Sequence, residues 1–334
     1  MTKLISFLTS FLFSVVVYAD YGMPVQGNKH AAQVDSLYGF LLLASLISCI
    51  LVIGGMIFFA LKYKRKSEND ETPYISHNNT LEFLWSFIPF VIFMVVFGWG
   101  WKLYYQAQTA PQNAFEVHVF GRQWGWDFQY KSGRTSSNTG DGLVVPVGKP
   151  IKLIMTSNDV LHSFFIPAFR IKQDVVPGMY SSLWFEADKE GEYQLFCTEY
   201  CGKDHSRMGG KVKVVSQAEF ENWLKADPLK AYEGLNLAER GLKVMKTKGC
   251  AACHYLEENK PGLIGPSIVG QFGQKRSFTD GTSGVVGAAY IRQSIKEPAA
   301  KKQVGYENGV MSLIPVSEQE ITWIIEYMKS TSNK

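Results

Sequence analysis

Cysteine, histidine and excess charge are all in short supply in this chain of 334 residues. There are five cysteines and six histidines, and 34 basic side chains against 30 acidic ones leave a net charge of +4. No basic run interleaved with aromatics occurs, which argues against a nucleic-acid partner. The cysteines are Cys49, Cys197, Cys201, Cys250 and Cys253. Four of them fall in two tight pairs, so a disulfide framework spread over a small secreted fold is excluded and ligand or attachment motifs are favoured. Internal repeats and low-complexity tracts are also missing. The length exceeds one typical domain and suggests two compact units with additions.

Charge is absent from two long stretches, between Asp35 and Lys62 and between Glu82 and Lys102. Each is long enough to cross about 30 Å of hydrocarbon, which takes about 20 helical residues. Spans are expected at about 37–61 and 83–105. The loop between them opens Lys62-Tyr63-Lys64-Arg65-Lys66, which places it in the cytoplasm and everything after the second span outside. Trp99, Trp101, Tyr104 and Tyr105 form an aromatic belt at the outer end. An earlier apolar run, Leu4 to Ala19, has small residues placed for signal-peptide cleavage before Asp20. An uncleaved span is the alternative, although the run is short for one.

The texture then changes. Phe115–Phe120, Pro150–Met155 and Tyr180–Phe185 are short, β-branched or aromatic, and separated by turn-forming clusters, the pattern of an all-β sandwich over 110–216. A linker is expected at 217–234. The remainder, 235–334, reads as all-α, with helices near Leu235–Lys248 and Ser317–Ser330 around a loop-rich centre. Ser317 and Glu320 stand in capping-box spacing.

Two motifs carry chemistry. The first is Cys197-Thr-Glu-Tyr-Cys201-Gly-Lys-Asp-His205-Ser-Arg-Met208, with His162 upstream. Thiolate, imidazole and thioether donors suit copper, and a doubled set suffices for two ions. A disulfide between Cys197 and Cys201 is the plain alternative in an oxidising compartment. The second is Cys250-Ala-Ala-Cys253-His254, the attachment signature of a c-type haem. A zinc site would want further ligands, and no Cys or His follows His254. Met311, in a loop, is the candidate sixth ligand; Met328 lies on the stripe Ile321, Ile324, Ile325, which is more simply core.

These residues and the paired spans resemble subunit II of haem–copper cytochrome c oxidases up to about Ser216. The region after Leu235 is similar to class I cytochrome c, and the fusion resembles caa-type oxidases. The resemblance implies a transmembrane hairpin, a cupredoxin-like sandwich and an all-α cytochrome c domain. It implies a binuclear copper A centre bridged by Cys197 and Cys201, with His162, His205, Met208 and the Glu199 carbonyl as further ligands. The Glu199 side chain would face a magnesium or manganese ion shared with the catalytic subunit. Trp124, in Gly121-Arg122-Gln123-Trp124-Gly125-Trp126, would take in electrons, although Gly125 stands where many relatives have a third aromatic. Glu82 would lie near a proton entrance, while an acid at a helix start also has a purely electrostatic use. Gly241 would let the first and last cytochrome helices pack closely, and Pro266 would support His254. No dioxygen-reducing site is encoded, so the expected role is to load electrons into a partner catalytic subunit from cytochrome c or another donor. The expected location is a bacterial cell membrane, with both redox domains outside. A copper-A nitric oxide reductase subunit and a membrane-tethered carrier are the alternatives.

Overall fold

The computed structural model describes residues 22–71, 74, 76–260, 263–309, 311 and 313–332; the expected signal peptide lies outside them. The chain divides into two bodies.

The first body runs to Thr109 and includes Ala168–Arg170. Helix α1 spans Lys29–Lys62, starting where the Asn28 side chain accepts the Ala31 N–H. Helix α2 spans Asn79–Gln108, with Asn78 accepting from Leu81 N–H in the same way. Both outrun the charge-free stretches. Helices of 34 and 30 residues reach about 51 and 45 Å at 1.5 Å per residue. That length crosses the hydrocarbon core and carries the polar ends into the headgroups. Large apolar side chains such as Leu51 and Phe93 point outward along both helices, as a lipid environment requires. Phe40 of α1 touches Trp99 of α2, ring centres 6.0 Å apart. In the same body Arg170 grips both carboxylate oxygens of Asp35 at 2.9 Å, and Gly27 N–H donates to the Ala168 carbonyl.

The second body begins with ten strands: β1 (Phe115–Arg122), β2 (Gly125–Tyr130), β3 (Thr135–Ser137), β4 (Leu143–Pro146), β5 (Pro150–Ser157), β6 (His162–Ile166), β7 (Ile171–Val175), β8 (Ser181–Glu186), β9 (Gly191–Cys197) and β10 (Gly209–Val215). They form two five-stranded sheets, ordered β3-β2-β1-β5-β8 and β4-β10-β9-β6-β7. Burial along β5 alternates strictly, with Ile151, Leu153 and Met155 inside, because successive strand side chains face opposite ways. Trp126 meets Phe164 edge-on at 5.1 Å between the sheets.

The stretch expected as a linker is ordered. Helix α3 (Gln217–Lys225) is capped by Ser216 and buries Phe220 against Phe115 and Tyr130. Its large apolar residues are Phe220, Trp223 and Leu224, a stripe too short for periodicity to register.

The helical domain holds α4 (Leu237–Thr247), α5 (Ala288–Lys296) and α6 (Glu318–Ser332), with a small hairpin of β11 (Lys275–Ser277) and β12 (Ser283–Val285). A capping box of Asn236 and Glu239 starts α4. Ser317 and Glu320 exchange the expected reciprocal bonds ahead of α6. At Gly241 a Cβ would fall 2.1 Å from the Trp323 carbonyl oxygen, so α4 and α6 meet backbone to backbone. Val244, Met245, Ile321, Ile324 and Met328 fill the core around that contact.

Candidate metal centre and cofactor slot

Strands β6, β9 and β10 are neighbours in one sheet, and their ends gather the first motif. His162 opens β6, Cys197 closes β9, and Cys201, a short 3-10 turn at His205–Arg207 and Met208 lead into β10. The ligand atoms of His162, Cys197 and Cys201 all lie within 4.8 Å of one another. Cys197 Sγ sits 3.8 Å from His162 Nδ1 and 3.3 Å from the Glu199 carbonyl oxygen. Cys201 Sγ sits 3.5 Å from His205 Nδ1 and 3.6 Å from Met208 Sδ. The two sulfurs are 3.8 Å apart and both thiols are free, so the pair is no disulfide here. The other four donors named from the sequence therefore each lie within 3.8 Å of one of these two sulfurs.

The electrostatics favour soft-metal binding. Burial opposes ionisation of Cys197, but hydrogen bonding to His162 and to the backbone at Ser163 and Glu199 outweighs it and brings the thiol down to about 6. Its neighbour Cys201 is pushed up to about 12, first by burial and then by the charge on Cys197. Thiolate, imidazole, thioether and carbonyl donors in a buried pocket fit copper.

Two residues outside the sequence-based set hold the cluster. Asp159 accepts from His162 Nε2 at 2.8 Å and from the Gln123 N–H at 2.7 Å, leaving Nδ1 facing the sulfur. Gly121 gives the ring its place, since a Cβ would lie 3.0 Å from His162 Cδ2. The sequence signal for Asp159 was only its position three residues before a histidine. Asp159→Ala should lower copper affinity by about 10–100-fold, the usual cost of losing a carboxylate behind a ligating imidazole. Competition with a copper chelator measures it, and unchanged affinity would remove Asp159 from the site.

The second motif lies just past α4. Gly249 turns at φ 77°, Cys250–Ala252 makes a 3-10 turn, and His254 follows. His254 Nδ1 donates to the Pro266 carbonyl at 2.7 Å, leaving Nε2 free to bind a metal. Burial lowers the pKa of His254 despite that bond, which keeps the ring neutral, as an iron ligand must be. Gly265 makes room: a Cβ there would come within 2.4 Å of His254 Cε1. Two adjoining cavities share His254 and Met311 in their walls, and the larger one is lined by Ile291, Ile295 and Ile324. Met328 also lines the larger cavity, so it serves both core and slot. An apolar slot with a histidine, a methionine and two adjacent thiols fits a covalently attached haem.

Trp124 is half-buried beside the copper loops, its indole N–H donating to the Cys201 carbonyl at 3.1 Å, alongside Gln123 Nε2 at 2.7 Å. Gly125 is required by local space, because a Cβ would lie 2.8 Å from Asn138 Oδ1 and 3.1 Å from Arg122 Nη1. Glu82 stands in the first turn of α2 and accepts from the Asn78 N–H at 3.2 Å. His118 points outward from β1 and Cys49 outward from α1, both apart from the cluster.

Comparison with known proteins completes the description. The family described as "Cytochrome C oxidase subunit II, transmembrane domain" matches residues 17–103, its periplasmic-domain counterpart 131–215, and "Cytochrome c" 238–332. Cytochrome c oxidase subunit 2 of Alkalihalophilus pseudofirmus is 28% identical across 98% of this chain and 95% of that protein. Alternative cytochrome c oxidase subunit 2 of Bradyrhizobium diazoefficiens is 30% identical, over 55% of this chain and 76% of that one. The solved periplasmic domain of subunit II of cytochrome oxidase from Bradyrhizobium japonicum is 33% identical, covering 35% of this chain and 95% of that structure with a TM-score of 0.34. The matched domains imply copper A in the sandwich and haem c in the helical domain. They also imply a membrane protein with an outward-facing domain, working within the oxidase complex. With its two apolar spans, its cluster of copper-type donors and its haem-attachment turn, the chain belongs to the cytochrome c oxidase subunit II family and feeds electrons into a haem–copper oxidase.

Proposed function

We propose that electrons from cytochrome c or another respiratory donor reach this chain at a haem c on Cys250, Cys253, His254 and Met311. They then pass to a binuclear copper A held by His162, Cys197, Glu199, Cys201, His205 and Met208, and on to catalytic subunit I. The observation that carries this reading is the gathering of soft and carbonyl donors around two buried thiols 3.8 Å apart, with His162 and the Glu199 carbonyl beside Cys197 and with His205 and Met208 beside Cys201. Two coppers held between Cys197 and Cys201 would share one electron, so that little rearrangement would accompany its transfer.

The chain's own residues supply the rest. Asp159 and Gly121 fix the His162 ring. Pro266 orients His254, while the apolar walls of the slot exclude water and, together with a methionine ligand, tune a haem potential upward. Trp124, bonded to the Cys201 carbonyl, is the proposed point where electrons come into the copper loops. Glu199 directs its side chain to a magnesium or manganese ion shared with subunit I, and Glu82 marks a proton entrance. Further membrane subunits and lipid surround α1 and α2. The membrane is that of a bacterial cell, with residues 110–216 and 235–334 on its outer face and 20–109 as anchor, after removal of 1–19.

Stopped-flow mixing of the purified complex with a reduced one-electron donor tests the order. Haem reduction should precede copper reduction. In Met311→Ala the haem should stay attached but titrate at a lower potential, and electrons should then reach copper more slowly. Copper reduced first in the unaltered chain, or an unchanged haem titration in the variant, would reject the route or the ligand respectively.

A further inference from the structure

The end of β1 serves two sites at once. Gly121 backs onto the His162 ring. Arg122, the next residue, is 2% exposed and grips Asp127 through Nε at 2.7 Å and Nη2 at 3.3 Å. Its Nη2 also donates to the Lys248 carbonyl at 3.1 Å, across to the helical domain. Ser137 Oγ donates to the Thr247 carbonyl at 2.6 Å, and Thr139 Oγ1 donates to the same oxygen. The last carbonyls of a helix have no partner within it. Those of α4 are capped here by the sandwich, with a cation placed at the negative helix end.

The haem-attachment turn begins at once. Gly249 lies over the guanidinium, since a Cβ there would stand 3.5 Å from Arg122 Nη2, and Cys250 follows. The guanidinium needs its own space, and Gly125 provides it. A larger residue at Gly125 would have to displace the Asn138 amide or the Arg122 guanidinium. Asn138 is itself fixed, accepting from the Trp126 N–H and donating to the Gly209 carbonyl.

We propose that Arg122, seated by Asp127 and Gly125, is a positioning residue that latches the Cys250–His254 turn onto the sandwich beside the copper loops. The inference rests on the proposed reading of that turn as the haem site. A core ion pair serving sandwich stability alone would end at Asp127; the N–H directed at Lys248 is what links the two domains. Arginine suits the place because its planar fork serves a carboxylate and a carbonyl together, which a lysine ammonium on a flexible stem does not. Two consecutive residues, Gly121 and Arg122, thus make the contact with a copper ligand and the contact with the haem turn.

The test uses the purified complex with Arg122→Lys. Because that change also leaves Asp127 poorly paired and weakens the sandwich itself, the double variant Ser137→Ala/Thr139→Val is measured beside it. Haem and copper spectra establish loading, and pulsed electron paramagnetic resonance reads the distribution of haem-to-copper distances. The unaltered chain should show one narrow distance. Both variants should keep both spectra, broaden the distance distribution and slow electron transfer from haem to copper, roughly tenfold in Arg122→Lys, which loses one charged hydrogen bond, and by a similar factor in the double variant, which loses two neutral ones. A narrow, unshifted distance and an unchanged rate in both variants would overturn the latch, even with a lowered thermal midpoint. Missing haem absorption in the unaltered chain would instead overturn the site reading beneath it.

Discussion

Cys201→Ser should abolish the binuclear copper signal while leaving the haem spectrum intact, and oxygen uptake by the complex should fall by more than about 100-fold. The reason is the density of contacts at this sulfur. Cys201 Sγ lies beside Cys197 Sγ, His205 Nδ1 and Met208 Sδ, all within 3.8 Å. Losing a residue behind a ligand costs about 10–100-fold in affinity or activity, so losing a bridging ligand costs at least that. Serine keeps the volume and the fold, because the residue is buried in a loop whose backbone is fixed by Gln123 and Trp124 on its carbonyl. Electron paramagnetic resonance reads the copper and visible absorption reads the haem. A persisting binuclear signal would show that the two coppers are not bridged by this thiol.

Gly241→Ala should unfold the helical domain in conditions where the sandwich stands. A Cβ at this position would lie 2.1 Å from the Trp323 carbonyl oxygen and 2.8 Å from Tyr327 Cβ. Neither neighbour is the free end of a flexible side chain, so α4 and α6 must separate. Overpacking a core costs about 1–3 kcal/mol, and a backbone clash belongs at or above the top of that range. Such a loss is a large part of the margin of a small domain. Denaturant titration followed at the haem band should show the midpoint lowered, with the copper transition in place. An unmoved haem transition would show that the two helices can part at little cost.

The spans, the sandwich and both motifs were legible because each rests on a signal written along the chain. Charge-free runs, alternating strands and fixed ligand spacings need no knowledge of what lies across the fold. The connection at 217–225 was not legible. Its aromatic side chains, Phe220 and Trp223, read as incidental until Phe115, Tyr130 and Arg134 are brought beside them. Asp159 and Arg122 escaped for a related reason. Their partners lie on other elements, Asp159 reaching Gln123 and Arg122 reaching Lys248, so no local pattern marks them. Gly125 was noticed as a departure from relatives, and only the position of the Arg122 guanidinium gives it a cause.

The ordered connection also decides where the chain can be cut. A soluble copper fragment ended after Ser216 would lose Phe220 and Trp223 from the faces of Phe115 and Tyr130, leaving an apolar scar prone to self-association. Ending it after Lys225 keeps that lid, along with the Trp223 indole bond to Asp141 at 2.8 Å. The short helix between the redox domains is thus a cover for β1 and β2, and the seam between separable pieces falls at Ala226 and beyond, where Asp227 and Pro228 begin a new turn.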